Sequence, residues 1–182
     1  MPRDSVRYSL KTGQSPHRHY HPKQNVGFFA HNSYGLAALL FVLKFAMAYN
    51  GRGSAKDDLK DYAGAIADYD KAIELDPKDA STYNNRAISK KNLKDYAGAI
   101  ADYNKAIELD PQYAYAYNNR GIAKYDLKDY AGAIADYDKA IELNPKYTRA
   151  YKNLIALYEA LNKPEMAEEI RRLKQKNCPD NQ

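Results

Sequence analysis

The sequence predicts an all-α fold: an array of antiparallel helix pairs, each pair packed on the next. Three observations predict it. The phrase LKDYAGAIADY occurs at Leu59–Tyr69, Leu93–Tyr103 and Leu127–Tyr137, each copy 34 residues after the last. Repetition at a period of this size marks units that bury their apolar faces only against one another. Within the first copy and its continuation, Tyr62, Ala65, Ile66, Tyr69, Ala72 and Ile73 fall at helical spacing on one face. Asp61 stands where a side chain caps the free N–H groups of a helix start, and Pro77 stands where a helix must stop.

Met1–Gln24 is polar and basic, with Pro2, Pro16 and Pro22, and residues 1–34 read as a disordered leader. GLAALLFVL at Gly35–Leu43 predicts an apolar helix over 35–45. Four readings of it stand side by side. It is the core of an export signal ending at Ala46-Met47-Ala48. It is part of a membrane anchor over 28–48, against which His31, Asn32, Ser33 and Lys44 count. It is an N-terminal helix laying Leu36, Leu39, Leu40 and Leu43 on the first repeat. Or translation starts further on than Met1. Units then follow at 46–79, 80–113, 114–147 and 148–182, each a helix, a short turn, a second helix and a proline turn. In the second unit the first helix is expected over about Ser81–Leu93, with Tyr83, Ala87 and Leu93 inward. The last unit carries Pro164 near the start of its second helix, followed by a stripe of only Met166, Ala167, Ile170 and Leu173. That is the polar outer face an array needs at its end.

Charge divides the same way. Residues 1–48 hold six Lys/Arg and one acid, Asp4, and all four histidines; the rest of the chain holds 22 basic and 22 acidic residues. The array is neutral, with no one-signed stripe for nucleic acid, and only the leader is basic. Most of the tyrosines sit on packing faces rather than open to bases. The alternating histidines of HRHYH at His17–His21 have no rigid frame, so no metal is expected. Cys178 is the only cysteine, which excludes an internal disulfide, and it is expected to be a spectator in a frayed tail. No phosphate loop, nucleophile elbow or H-E-x-x-H is present, and the array has no histidine to activate a nucleophile. The prediction is therefore no enzyme, no cofactor and no small-molecule substrate.

The period and pattern resemble the tetratricopeptide repeat, W-x2-L-G-x2-Y…A-x3-F…P. Tyr49, Gly53, Ala65, Tyr69 and Pro77 match in the first unit, Tyr83, Ala87, Ala99, Tyr103 and Pro111 in the second, and Tyr117, Gly121, Ala133, Tyr137 and Pro145 in the third. Over roughly Ala46–Pro179 the resemblance implies a right-handed superhelical solenoid. Two departures recur. Arg52, Arg86 and Arg120 replace the family leucine, and Lys56, Lys90 and Lys124 replace its second aromatic. Each arginine is expected to pair with Asp68, Asp102 or Asp136 at the seam between helices, and Arg86→Leu is expected to be tolerated.

In this family the first helices line a concave groove that holds extended peptides. Carried onto this chain, the groove residues are Asn50, Asn84, Asn85, Ile88, Tyr115, Asn118, Asn119, Ile122, Tyr125, Arg149, Lys152 and Asn153. Their amides both donate to and accept from a peptide backbone. The resemblance implies a protein-interaction scaffold with a protein or peptide partner, the alternative being an exported or anchored assembly factor that uses residues 1–48. Relatives that bind chaperone tails clamp a terminal carboxylate with two lysines, two asparagines and an arginine. Only fragments of that clamp are present, so weak or no binding of such tails is expected. Gly64, Gly98 and Gly132 inside helices have no explanation at this level.

Overall fold

The computed structural model describes residues 33–179, which form eight α-helices and no strand. By internal contacts the chain divides into residues 1–39 and 40–182. The described part of the first is the opening of α1. Residues 28–32 of the apolar segment and the histidine cluster lie outside the described residues. Helix α1, Ser33–Asp58, takes in the apolar run and the first helix of the 46–79 unit in one piece. Leu40, Phe41, Phe45 and Met47 are exposed on it. Among the described residues no helix is long and apolar enough to cross a membrane.

In residues 40–182, α1 pairs with α2 (Tyr62–Leu75), α3 (Ala80–Asn92) with α4 (Tyr96–Leu109), α5 (Ala114–Asp126) with α6 (Tyr130–Leu143), and α7 (Thr148–Ala160) with α8 (Pro164–Asn177). The second helix of each pair also packs on the first helix of the next, α2 on α3, α4 on α5 and α6 on α7. The result is an all-α repeat solenoid, in which α3, α5 and α7 begin at Ala80, Ala114 and Thr148.

The turn inside each unit is three residues long and uses both helix ends. Leu59 caps α1, Lys60 follows at φ 63°, and Asp61 begins the next helix. The Asp61 N–H donates to the Lys56 carbonyl and the Lys60 N–H to the Asp57 carbonyl, both at 2.9 Å. This six-to-one and five-to-two pattern is the Schellman ending of a helix. It recurs around Lys94, Lys128 and Asn162, all at positive φ. Asp61 then accepts from the Gly64 N–H at 3.0 Å, Asp95 from Gly98 at 2.9 Å and Asp129 from Gly132 at 3.0 Å. Here the unexplained glycines find their reason. A Cβ on Gly98 would lie 2.1 Å from the Asp95 carboxylate, so the capping geometry requires the hydrogen.

Alanines line the seams. Ala65, Ala72, Ala99, Ala106, Ala133 and Ala140 are at most 1 % exposed, and between them Tyr69, Tyr103 and Tyr137 fill the space. The expected inward stripe of the second unit needs one correction. Leu93 lies in the turn and is 52 % exposed, and Tyr83 is only half-buried. In the last unit Ala167 is buried and Ile170 half-buried, while Met166 and Leu173 are exposed. Its core is supplied by α7 instead, through Tyr151, Leu154, Leu157 and Tyr158. Cys178 is not in a frayed tail. It caps α8, its Sγ lies 3.5 Å from the Pro145 carbonyl, and Asn177 beside it donates to the Tyr151 hydroxyl at 2.8 Å.

The predicted arginine ladder is formed. Arg86 Nε and Nη2 bind the Asp102 carboxylate at 2.8 and 2.6 Å, and Arg52 with Asp68 and Arg120 with Asp136 repeat the two-point geometry. Lys56, Lys90 and Lys124 complete each site at 2.8, 2.8 and 2.9 Å. Each guanidinium also lies over a ring, of Tyr49, Tyr83 or Tyr117. The Arg52 hydrogen bonds, with Lys56 in support, hold the Asp68 carboxyl down at about 2, against burial. Between units, Arg86 Nη1 reaches Asp70 at 2.6 Å and Arg120 Nη1 reaches Asn104 at 2.7 Å.

Candidate functional site

The first helices carry the site because, over the first three units, they differ where the second helices do not. Helices α2 and α6 read YAGAIADYDKAIEL, and α4 differs from them only at Asn104. Helices α3 and α5, in the same place in their units, differ at six of 13 positions, and in the fourth unit both α7 and α8 depart from the pattern.

One chain of amides runs through all four units. Asn85 Nδ2 donates to Asn50 Oδ1 at 3.1 Å, Asn119 to Asn84 at 3.1 Å and Asn153 to Asn118 at 2.8 Å. Neighbours join these rungs, Asn84 donating to Asn85 at 3.4 Å and Asn118 to Asn119 at 3.3 Å. The three rungs from Asn85, Asn119 and Asn153 all donate toward the first unit, and the chain's end explains why. A carboxylate only accepts. Asp79 therefore accepts a hydrogen bond from the Thr82 hydroxyl (Oγ1 to Oδ2 2.5 Å), leaving Thr82 Oγ1 to accept from Asn50 Nδ2 at 2.7 Å. With its N–H so used, Asn50 presents oxygen to Asn85, and the direction propagates. Burial pushes the Asp79 carboxyl up, but hydrogen bonds from Thr82 and Ser81 outweigh it and hold it below the usual carboxylate range.

Beside the start of this chain lies a cleft of about 610 Å³, lined by Met47, Asn50, Gly51, Ser54, Asp76, Asp79, Ser81 and Asn85. Further along, Tyr113, Tyr115 and Tyr147 form a run of ring contacts, with centroids 6.1 and 4.7 Å apart. Burial raises the Tyr113 hydroxyl, and the nearby charges of Asp79 and Asp110 raise it further. Burial likewise raises Tyr147, with the adjacent Arg149 opposing it. Arg149 and Lys152 are exposed, and neither forms an ion pair among the described residues.

Sequence models of known families match this chain as follows. A Tetratricopeptide repeat model matches residues 46–79 and 114–147, a second of that name matches 68–101, and a TPR repeat model matches 91–128. The first TPR domain of human RPAP3 is 31% identical, with a TM-score of 0.63 over 66% of this chain and 95% of that one. The chain belongs to the tetratricopeptide repeat family. The Arabidopsis OM64 TPR domain is 28% identical, with a TM-score of 0.64 over 65% of this chain and 98% of that one. A further RPAP3 structure, of the first TPR of Spaghetti at 31% identity, has the HSP90 peptide SRMEEVD bound, with a TM-score of 0.63 over 66% of this chain and 95% of that one. No curated sequence is significantly similar to the chain.

Within this tetratricopeptide repeat array, the predicted groove residues separate into three groups. Asn84 and Asn118 are 4 % and 0 % exposed. They are rungs between units, not open to a ligand, because both their oxygens and their N–H groups serve neighbouring asparagines. Asn50, Asn85, Asn119 and Asn153 are half-buried in the same chain. Each amide has two N–H donors and two acceptor lone pairs, so capacity remains on the open side. Ile88 and Ile122 are half-buried against the core, while Tyr115, Tyr125, Arg149 and Lys152 are exposed. Met47, Asp76, Asp79, Ser81 and Thr82 were not among the expected site residues. A signal for two of them existed: Met47 and Ser81 stand at the same place in their units as Tyr115 and Arg149.

Proposed function

We propose that the chain is a non-catalytic protein-interaction scaffold that holds an extended peptide segment along its first helices. The observation that carries this is the contrast, over the first three units, between near-identical second helices and more divergent first helices, whose open face combines half-free amides, half-buried Ile88 and Ile122 and exposed Tyr115 and Tyr125. Amides supply register to a peptide backbone, and the divergent side chains supply choice. Two neighbours support the class of partner: the first TPR of Spaghetti binds the HSP90 peptide SRMEEVD, and the second TPR domain of human RPAP3, 28% identical, binds the HSP70 peptide SGPTIEEVD. We do not extend those ligands to this chain. Asp76 and Asp79 line its first cleft, where a carboxylate-rich tail would be repelled.

Selection from a random peptide library displayed on phage tests the reading. Enriched peptides are expected to lose binding to Tyr115→Ser and to keep it for Lys105→Glu, which alters an exposed ion pair on α4. SRMEEVD itself is expected to bind more weakly than about 100 µM, or about −5.5 kcal/mol. Peptides that bind Tyr115→Ser undiminished would move the site off the first helices.

A further inference from the structure

The first helices begin at a row of equivalent positions, and the chemistry along that row changes sign. The residue before the helix is Asp79, then Tyr113, then Tyr147; two residues on stand Ser81, Tyr115 and Arg149. Met47 is the counterpart of Ser81 in the first unit. In α2, α4 and α6, which are nearly identical, a change of this kind does not occur. At one end, the cleft holds the carboxylates of Asp76 and Asp79 and, among the described residues, no basic side chain. In the middle, Tyr113, Tyr115 and Tyr147 make a continuous aromatic surface, with Tyr115 51 % exposed. At the other end are Arg149 and, one turn along, Lys152, without ion-pair partners among the described residues.

We infer that the partner is a charge-ordered peptide, with a cationic side chain over the first and second units, an apolar or aromatic middle over Tyr115, and a carboxylate over Arg149 and Lys152. This rests on the peptide-scaffold reading and adds the order of charge. A lysine or arginine suits the first cleft for two reasons. Its head meets Asp76, whose second oxygen takes no hydrogen bond among the described residues, and its alkyl stem has exposed Met47 to lie against. Complementary charge at both ends fixes register, because a peptide of the opposite order brings like charges together at each end.

The test uses the full chain and a peptide enriched on it by phage display. Asp76→Asn removes charge without removing the turn, since Asn144 holds the same position and accepts the same bond from Lys146, at 3.1 Å as in Asp76 with Lys78. Arg149→Gln is its counterpart at the other end. Each is expected to weaken binding about two- to fivefold, as exposed ion pairs do, and Arg149→Glu more. Double-mutant cycles then assign the ends. Neutralising the peptide's lysine or arginine should abolish the effect of Asp76→Asn and leave that of Arg149→Gln, and neutralising its carboxylate should do the reverse. Peptides that lose binding to Tyr115→Ser but show no such coupling, or the opposite coupling, would overturn the charge order while leaving the scaffold reading intact. Failure to enrich any peptide, or indifference to Tyr115→Ser, would count against both.

Discussion

Lys60, Lys94 and Lys128 occupy left-handed backbone, at φ 63°, 65° and 64°. Their Cβ atoms crowd the following carbonyl, at roughly 1–2 kcal/mol for a residue with a side chain. Glycine avoids that crowding but loses more freedom on folding, roughly 0.5–1 kcal/mol. The first effect is the larger, so Lys94→Gly is expected to stabilise the chain by about 0.5–1 kcal/mol, read as a higher urea midpoint at unchanged slope. A lower midpoint would mean that the Lys94 side chain makes a contact worth more than the strain. Gly98, four residues on, balances differently. Alanine there gains about 1 kcal/mol of helix propensity and loses a cap worth about the same. The glycine is thus compatible with stability although it sits inside a helix.

At the scale of paired helices, the arginine seam has a natural control within the molecule. Where the first three units hold Arg, Lys and Asp, the fourth holds Leu154, Tyr158 and Ile170, and Ile170 packs on the core that contains Leu154. All three partners change together. The expectation that Arg86→Leu alone is tolerated therefore needs revision. Asp102 is 5 % exposed, and Arg86 also holds Asp70 in the preceding unit, so the single change leaves a buried carboxylate with Lys90 only. A loss of about 2–4 kcal/mol follows, toward the lower part of what breaking a buried pair costs. Arg86→Leu combined with Lys90→Tyr and Asp102→Ile should recover most of it, because an apolar set of similar volume replaces the ions. Thermal or urea unfolding of the two variants decides this, and equal destabilisation would contradict it. Arg, Asp and the period were enough to read this seam from the sequence. What Arg86 does for Asp70 was not legible, because it depends on how one unit is rotated against the next. For the same reason the Asn84 and Asn118 positions, which lie beside Asn85 and Asn119 in sequence, did not announce that they point between units.

Across the first three units, near-identical second helices build a frame and the first helices vary on it. The all-α class and the succession of helix pairs were legible, since they follow from periodicity, capping and proline placement, whereas the continuity of residues 35–45 with the first repeat helix in α1 was not. The cleft around Asp79 was not, because it forms from the turn after α2, the start of α3 and the middle of α1, which only the folded chain brings together. The central claim is that a ligand lies along the first helices. Its most direct test is an amide-resolved NMR titration of the full chain with a peptide enriched on it. The account predicts shift changes concentrated at Asn50–Ser54, Asn85–Ile88, Tyr115–Ile122 and Arg149–Asn153, with the exposed faces of α2, α4 and α6 unmoved. Changes centred on Lys71, Lys105 and Lys139, which stand on those outer faces, would contradict it.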